Sequence, residues 1–176
     1  WAWSLLCYNP WLPLSAFSCG ITPRSDERGL EEESQMSVYI TPYVNIAVDT
    51  AIYASGDALG EKNSFPNVPE HGTIMAVNVI DRDSEAVNLD LVLFSRDIVG
   101  TADNAAFAPS DAELSDCLGA ILVDTWKTFS TNSLGSESNV ALPYWAPSGS
   151  LFFQAVTRGT PTYTATTDVL VAIAIV

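Results

Sequence analysis

The feature that most constrains this chain is a period-two alternation of apolar and polar residues, recurring between short turn clusters from Met36 onward. That period sends successive side chains to opposite faces of an extended strand, so one face can be buried and the other wetted. Val44, Ile46 and Val48 share one side, while Asn45, Ala47 and Asp49 take the other. Thr73 to Ile80 is rich in β-branched residues, and Leu89, Leu91 and Leu93 alternate with Asp90 and Val92. Between them, Asp81-Arg82-Asp83-Ser84 reads as a turn, because Asp and Ser side chains bond nearby backbone there. The pattern therefore predicts a hairpin over Thr73–Phe94. Ala120–Phe129, Val140–Tyr144, Leu151–Arg158 and Asp168–Val176 read as further strands, with a short one at Val38–Thr41. About eight strands suit an all-β fold, a β-sandwich of jelly-roll type. Pro42 and Pro161 fall at strand starts or edges, where a missing N–H is tolerated.

One short helix interrupts the strands. Ser110-Asp111-Ala112-Glu113 fits a capping box, in which the Ser hydroxyl and the Glu carboxylate satisfy each other's free amides. Leu114, Cys117 and Leu118 would form its apolar stripe, and Gly119 suits the position just past its end. Such a helix of about two turns would plug one end of the sandwich. Ser55–Gly72 and Ser95–Pro109 read as long loops, which makes them the candidate contact surfaces.

Residues 1–35 differ from the rest and are read as a leader or N-terminal arm preceding a β-sandwich domain at 36–176. Residues 1–23 hold Trp1, Trp3, Trp11, Cys7, Cys19 and three prolines, followed by a polar run from Arg24 to Gln35. Three readings of this segment stand open. It could be a secretory signal, with Ala16-Phe17-Ser18 resembling a cleavage site, although no Lys or Arg precedes its apolar stretch. It could be an arm that docks on a partner through its tryptophans. It could also be translated upstream DNA before a true start at Met36, since Glu31-Glu32-Glu33 can be encoded by a ribosome-binding purine run. A start at Met36 would leave 5 Lys and Arg against 16 Asp and Glu.

Charge excludes whole classes of partner. The 176 residues carry a net charge of −14, with only 16% charged residues and 48% hydrophobic ones. Duplex nucleic acid needs clustered cations to displace its counterions, and an anionic membrane surface needs them too. Neither partner is expected. The longest clean apolar run, Val169–Val176, is far shorter than the roughly 20 residues a spanning helix needs.

The residues that could carry chemistry each have a plainer reading. His71, the only histidine, sits among Pro69, Glu70 and Gly72 and reads as a solvated loop residue in preference to a catalytic base. No Gly-x-Ser-x-Gly elbow accompanies it. Cys117 falls on the apolar stripe of the predicted helix beside Asp116, which would oppose thiolate formation, so it reads as a small core residue. Asp81, Asp83 and Glu85 form the tightest acidic cluster, but the calcium-loop spacing is missing and Arg82 lies among them. Tyr144-Trp145 and Phe152-Phe153 could form a sugar platform. Consecutive aromatics in a strand more often place one ring in the core and its neighbour at an interface. No catalytic, cofactor-binding or metal-ligating residue is assigned, and no cofactor is expected.

Four segments carry a family resemblance. They are Tyr53-Ala54-Ser55-Gly56-Asp57-Ala58-Leu59-Gly60, the stretch Gly72–Phe94, the run Ala102-Asp103-Asn104-Ala105-Ala106-Phe107-Ala108-Pro109-Ser110-Asp111, and Val156-Thr157-Arg158-Gly159-Thr160-Pro161-Thr162-Tyr163. Over Met36–Val176 they resemble small virion structural proteins of tailed bacteriophages, the capsid (head) decoration or cement proteins. The resemblance implies a noncatalytic jelly-roll protein on the outer capsid surface of the virion. It would form a homotrimer and bind and stabilise the major capsid protein. Two other expectations remain beside it: a tail or fibre module that binds a host glycan, and a secreted hydrolase.

Overall fold

The computed structural model describes residues 37–176. Readings of residues 1–35, including the start at Met36 and any pairing of Cys7 with Cys19, lie outside the described residues. Within these residues the chain forms ten strands and one short helix. The first five strands are β1 (Tyr39–Ile40), β2 (Val44–Ile46), β3 (Ala58–Pro66), β4 (His71–Asp81) and β5 (Leu89–Phe94). After α1 (Asp111–Ser115) come β6 (Cys117–Val123), β7 (Trp126–Thr128), β8 (Ser133–Trp145), β9 (Ser150–Thr157) and β10 (Val169–Ile175).

The strands build two antiparallel sheets. One runs β1-β10-β4-β8-β7, with β2 also paired to β10, and the other runs β3-β9-β5-β6. The pairs β2–β10, β3–β9, β4–β8 and β5–β6 nest inside one another. The chain is thus one long hairpin, folded over on itself, whose innermost turn is the 95–116 segment. That is a jelly roll of eight strands, with β1 and β7 added as short edge pieces. The all-β sandwich read from the sequence is the observed fold.

The alternation works as expected within each strand. Val169, Val171, Ile173 and Ile175 of β10 and Val77 and Val79 of β4 face Leu89, Leu91 and Leu93 of β5 and Leu151, Phe153 and Ala155 of β9 in one core. Phe65 of β3 and Phe153 of β9, on neighbouring strands of the same sheet, stack within it at 4.5 Å between ring centres. Each such side chain, fully buried, contributes roughly 1.5–3 kcal/mol of transfer free energy.

The hairpin over Thr73–Phe94 does not form. β4 pairs with β10 and β8, while β5 pairs with β6 and β9 in the opposite sheet. Asp81 does organise the connection, accepting from Asp83 N at 2.9 Å and Ala86 N at 2.7 Å, but that connection crosses between sheets. Ser55–Gly72 is not a long loop either, because it contains β3. Ala120–Phe129 divides into the end of β6 and β7, which lie in different sheets.

The helix is shorter than its pattern. Its capping box is complete, yet it ends at Ser115, caps on Asp116 and buries no residue, with Leu114 half exposed. It therefore plugs nothing. Cys117 and Leu118 belong to β6, and Gly119 pairs with Leu93 inside that strand and does not close the helix.

Candidate functional site

The two segments expected to carry contacts come together on the outer side of the four-stranded sheet. There the 95–110 segment lies over β3, β9 and β5 and forms a second apolar cluster. Val92, Phe94, Ile98 and Val156 are buried in it, with Phe107, Cys117 and Phe152 packed around them. β5 is consequently buried on both faces at its C-terminal end.

Polar groups pin the 95–110 segment in place. Gln154, fully buried, donates through Nε2 to the carbonyls of Gly60 and Thr101 and accepts from Thr101 N at 2.9 Å. Asp103 Oδ1 accepts from Gly60 N at 2.7 Å and from the Tyr53 hydroxyl at 2.6 Å. Burial, then the Asp103 contact, pushes the Tyr53 hydroxyl well above its ordinary pKa. The backbone adds bonds from Ala58 N to Ala105 O at 2.9 Å and from Phe107 N to Gly56 O at 3.0 Å. Gly60 has φ +66°, and a Cβ there would stand 2.8 Å from Ile46 Cγ2. The turn of the chain under Asp103 therefore requires glycine.

Glu113 ties the helix to the same surface. Its carboxylate accepts from Gly100 N at 3.0 Å and from Ser110 N at 2.7 Å, and these bonds hold its pKa down at about 2. A lowered carboxyl pKa means stability present above about pH 4.5 and lost as the pH falls toward 2. Glu113→Gln is expected to flatten the acid limb of the unfolding profile between those values. Ser110→Ala removes the N-cap hydroxyl and is expected to cost about 1 kcal/mol in urea unfolding.

The surface that results is open and shallow. Arg96, Asp97, Pro147, Ser148 and Phe152 line a depression of about 330 Å³. An adjoining one of about 370 Å³ shares Asp97 and Phe152 and adds Lys62, Asn63 and Ser64. Lys62 Nζ reaches Asp97 Oδ1 at 2.7 Å, linking the two segments across the join. Such a surface suits contact with another macromolecule better than enclosure of a small substrate.

The remaining candidates are dispersed. His71 opens β4 at the surface, its Nε2 3.6 Å from Glu70 Oε1. Among the described residues no hydroxyl or thiol hydrogen-bonds to it. Cys117 is a half-buried free thiol in the second cluster. The acidic trio separates: Asp81 is buried and capped by backbone amides, and Glu85 is exposed. Asp83 accepts from Thr164 N and from its hydroxyl at 2.9 Å. The Asp168 carboxylate accepts from Ala165 N at 2.6 Å, and burial together with Asp83 raises its pKa. No grouping of metal-ligating side chains occurs among the described residues. The aromatic pairs divide as alternation requires. Tyr144 and Phe153 are buried, while Trp145 is 43% exposed and Phe152 lines the depression.

Sequence reasoning missed Gln154 and Asp103 as the pins of this surface. An amide within the apolar run Leu151–Val156 was the available signal for the first.

The fold and this surface define the class of the protein as a jelly-roll β-sandwich with a built-up outer face. No family model matches the chain, and no curated protein matches it. Among the described residues no helix is long and apolar enough to cross a membrane.

Proposed function

We propose that this protein is a noncatalytic structural protein of a tailed-bacteriophage virion, a decoration or cement protein that binds the outer capsid surface. It would act as a homotrimer, bridging subunits of the major capsid protein. The observation that carries the reading is the joining of β3 to the 95–110 segment in one open, fixed surface. Three of the four segments of the resemblance, those at 53–60, 102–111 and 156–163, contribute to this side of the molecule. A rigid surface loses little entropy on docking, which favours a binding role. The net charge of −14 is compatible with a position outside a shell, away from packaged DNA.

Purified shells lacking the protein test this directly. Added protein should co-sediment with them at saturating stoichiometry and raise the temperature at which they lose their contents. Light scattering should report a trimer. A monomer that leaves shells unchanged overturns the proposal. The glycan-binding alternative draws on exposed Trp145, whose Nε1 lies 3.4 Å from Glu70 Oε1. Quenching of tryptophan fluorescence by host glycans, abolished by Trp145→Ala, would favour that alternative. The hydrolase alternative requires His71, so it stands only if the protein shows a hydrolytic activity that His71→Ala abolishes.

A further inference from the structure

We propose that β6 is a docking edge for an extended segment of another protein, apolar at its centre and basic at both ends. This inference goes beyond the virion reading and rests on the edges of the two sheets alone. An edge strand presents unpaired N–H and C=O groups, and stable folds protect such edges with charge, proline, bulges or brevity.

Among the described residues the other edges are all protected in one of these ways. β1, β2 and β7 are two or three residues long, and β7 carries Lys127. β3 exposes Glu61 and Lys62 and breaks its register between Leu59 and Asn63. The part of β8 beyond β7 contains Pro143, and Asn139 and Ala141 take positive φ values of 62° and 51°. β6 differs. Its seven residues, Cys-Leu-Gly-Ala-Ile-Leu-Val, contain no charge and no proline.

After a bulge at its start, β6 pairs regularly with β5 from Gly119 to Val123. Leu142 approaches Gly119, and beyond it the outward residues Ala120 and Leu122 are exposed, Leu122 by 46%. Ile121 and Val123 anchor the strand in the core, so the edge is held rigid for an incoming strand. Strand addition of this kind takes its affinity from main-chain bonds and its selectivity from alternate side chains.

Charge selects the occupant. Asp116 and Asp124 bracket the apolar run. Asp124 is exposed, with no cation beside it among the described residues, while Arg96 Nε lies 3.7 Å from the half-buried Asp116 carboxylate, a long contact that leaves room for a closer cation. A second copy paired antiparallel over Cys117–Val123 would set Asp116 against Asp124 at both ends. Like charges directly opposite destabilise a strand pair. A heterologous strand with Lys or Arg at its ends converts both repulsions into ion pairs.

The probe is a capped, fluorophore-labelled peptide, Lys-Val-Thr-Val-Thr-Val-Thr-Val-Lys, titrated into the full chain at low salt. Saturable binding is expected, about tenfold tighter than for the same peptide with Glu at both ends, since two exposed ion pairs replace two repulsions. Hydrogen-exchange protection on binding should be confined to the 117–124 amides. Asp116→Lys with Asp124→Lys should reverse the preference toward the Glu-ended peptide, and Asp124→Lys alone should erase it. Leu122→Lys, at an exposed position, should weaken binding of the Lys-ended peptide. No saturable binding, equal binding of the two peptides, or protection at β3 or β7 overturns the proposal. Protection of β6 by self-association in sedimentation, without peptide, overturns it in favour of a second copy. None of these results depends on whether the chain binds capsids.

Discussion

Phe153→Ala is expected to lower the stability of the fold by about 3–5 kcal/mol, whereas Phe152→Ala, one residue earlier, should cost far less. Phe153 is fully buried, stacked on Phe65, and lies in β9 between Asn63 of β3 and Leu93 of β5. Removing its ring takes away transfer free energy and leaves a cavity that the rigid surrounding strands cannot fill. Phe152 points the other way and only partly covers the second cluster. The comparison tests the register, because a one-residue slip would exchange the two faces and reverse the result. Urea unfolding of both variants reads it through the midpoints, with the slope unchanged. Equal losses, or a larger loss at Phe152, would mean that β9 does not sit as described.

The same alternation explains what the sequence made legible and where it misled. Period two identifies a strand and its faces, and it located β2, β4, β5, β9 and β10 because each has one face in the main core. It carries no information about partners. β4 and β5 look like a hairpin because Asp81 and Asp83 supply good turn chemistry between them. Closing the sandwich instead gives both strands two neighbours each and buries both, which the local pairing would not. β3 escaped notice because Gly60, Glu61, Lys62 and Asn63 break its pattern. The register shift there makes room for that break, and the exposed edge accepts the charges.

The helix error has a similar cause. Leu114, Cys117 and Leu118 have helical spacing, but the spacing spans the junction at which α1 ends and β6 begins. Cys117 and Leu118 are apolar because the bulged start of β6 sends one to the second cluster and the other to the main core. The 95–109 segment was correctly read as irregular, yet it is a packed cover for the sheet. Ile98 and Phe107 within it carried that signal. So did the unbroken apolar run Leu91–Phe94, which needs burial on both sides of the strand. The surface therefore became visible only once distant residues such as Gly60, Thr101 and Gln154 were brought together.

Gln154→Met should test how that surface is held, with an expected loss of about 3 kcal/mol. Methionine nearly matches the volume of glutamine, so packing is kept while three hydrogen bonds are lost. Thr101 N, Thr101 O and Gly60 O would lose their partner in a site where Gln154 is fully buried. Each buried polar group left unpaired costs about 1–3 kcal/mol, partly recovered if the segment lifts and water enters. That recovery gives the variant its signature: faster hydrogen exchange across 98–107, with β4 and β10 protected as before. Gln154→Glu keeps the shape but brings a carboxylate into the same site beside two carbonyl oxygens. Its pKa should rise, since burial and the carbonyls both favour the neutral acid. A raised carboxyl pKa gives stability that is present at low pH and lost as the pH climbs through it. Gln154→Glu should thus be closest to the parent protein near pH 4–5 and furthest from it at neutral pH, opposite to the acid limb set by Glu113. If both variants unfold like the parent and exchange at 98–107 is unchanged, the buried amide does not hold the segment, and the fixed surface loses its main support.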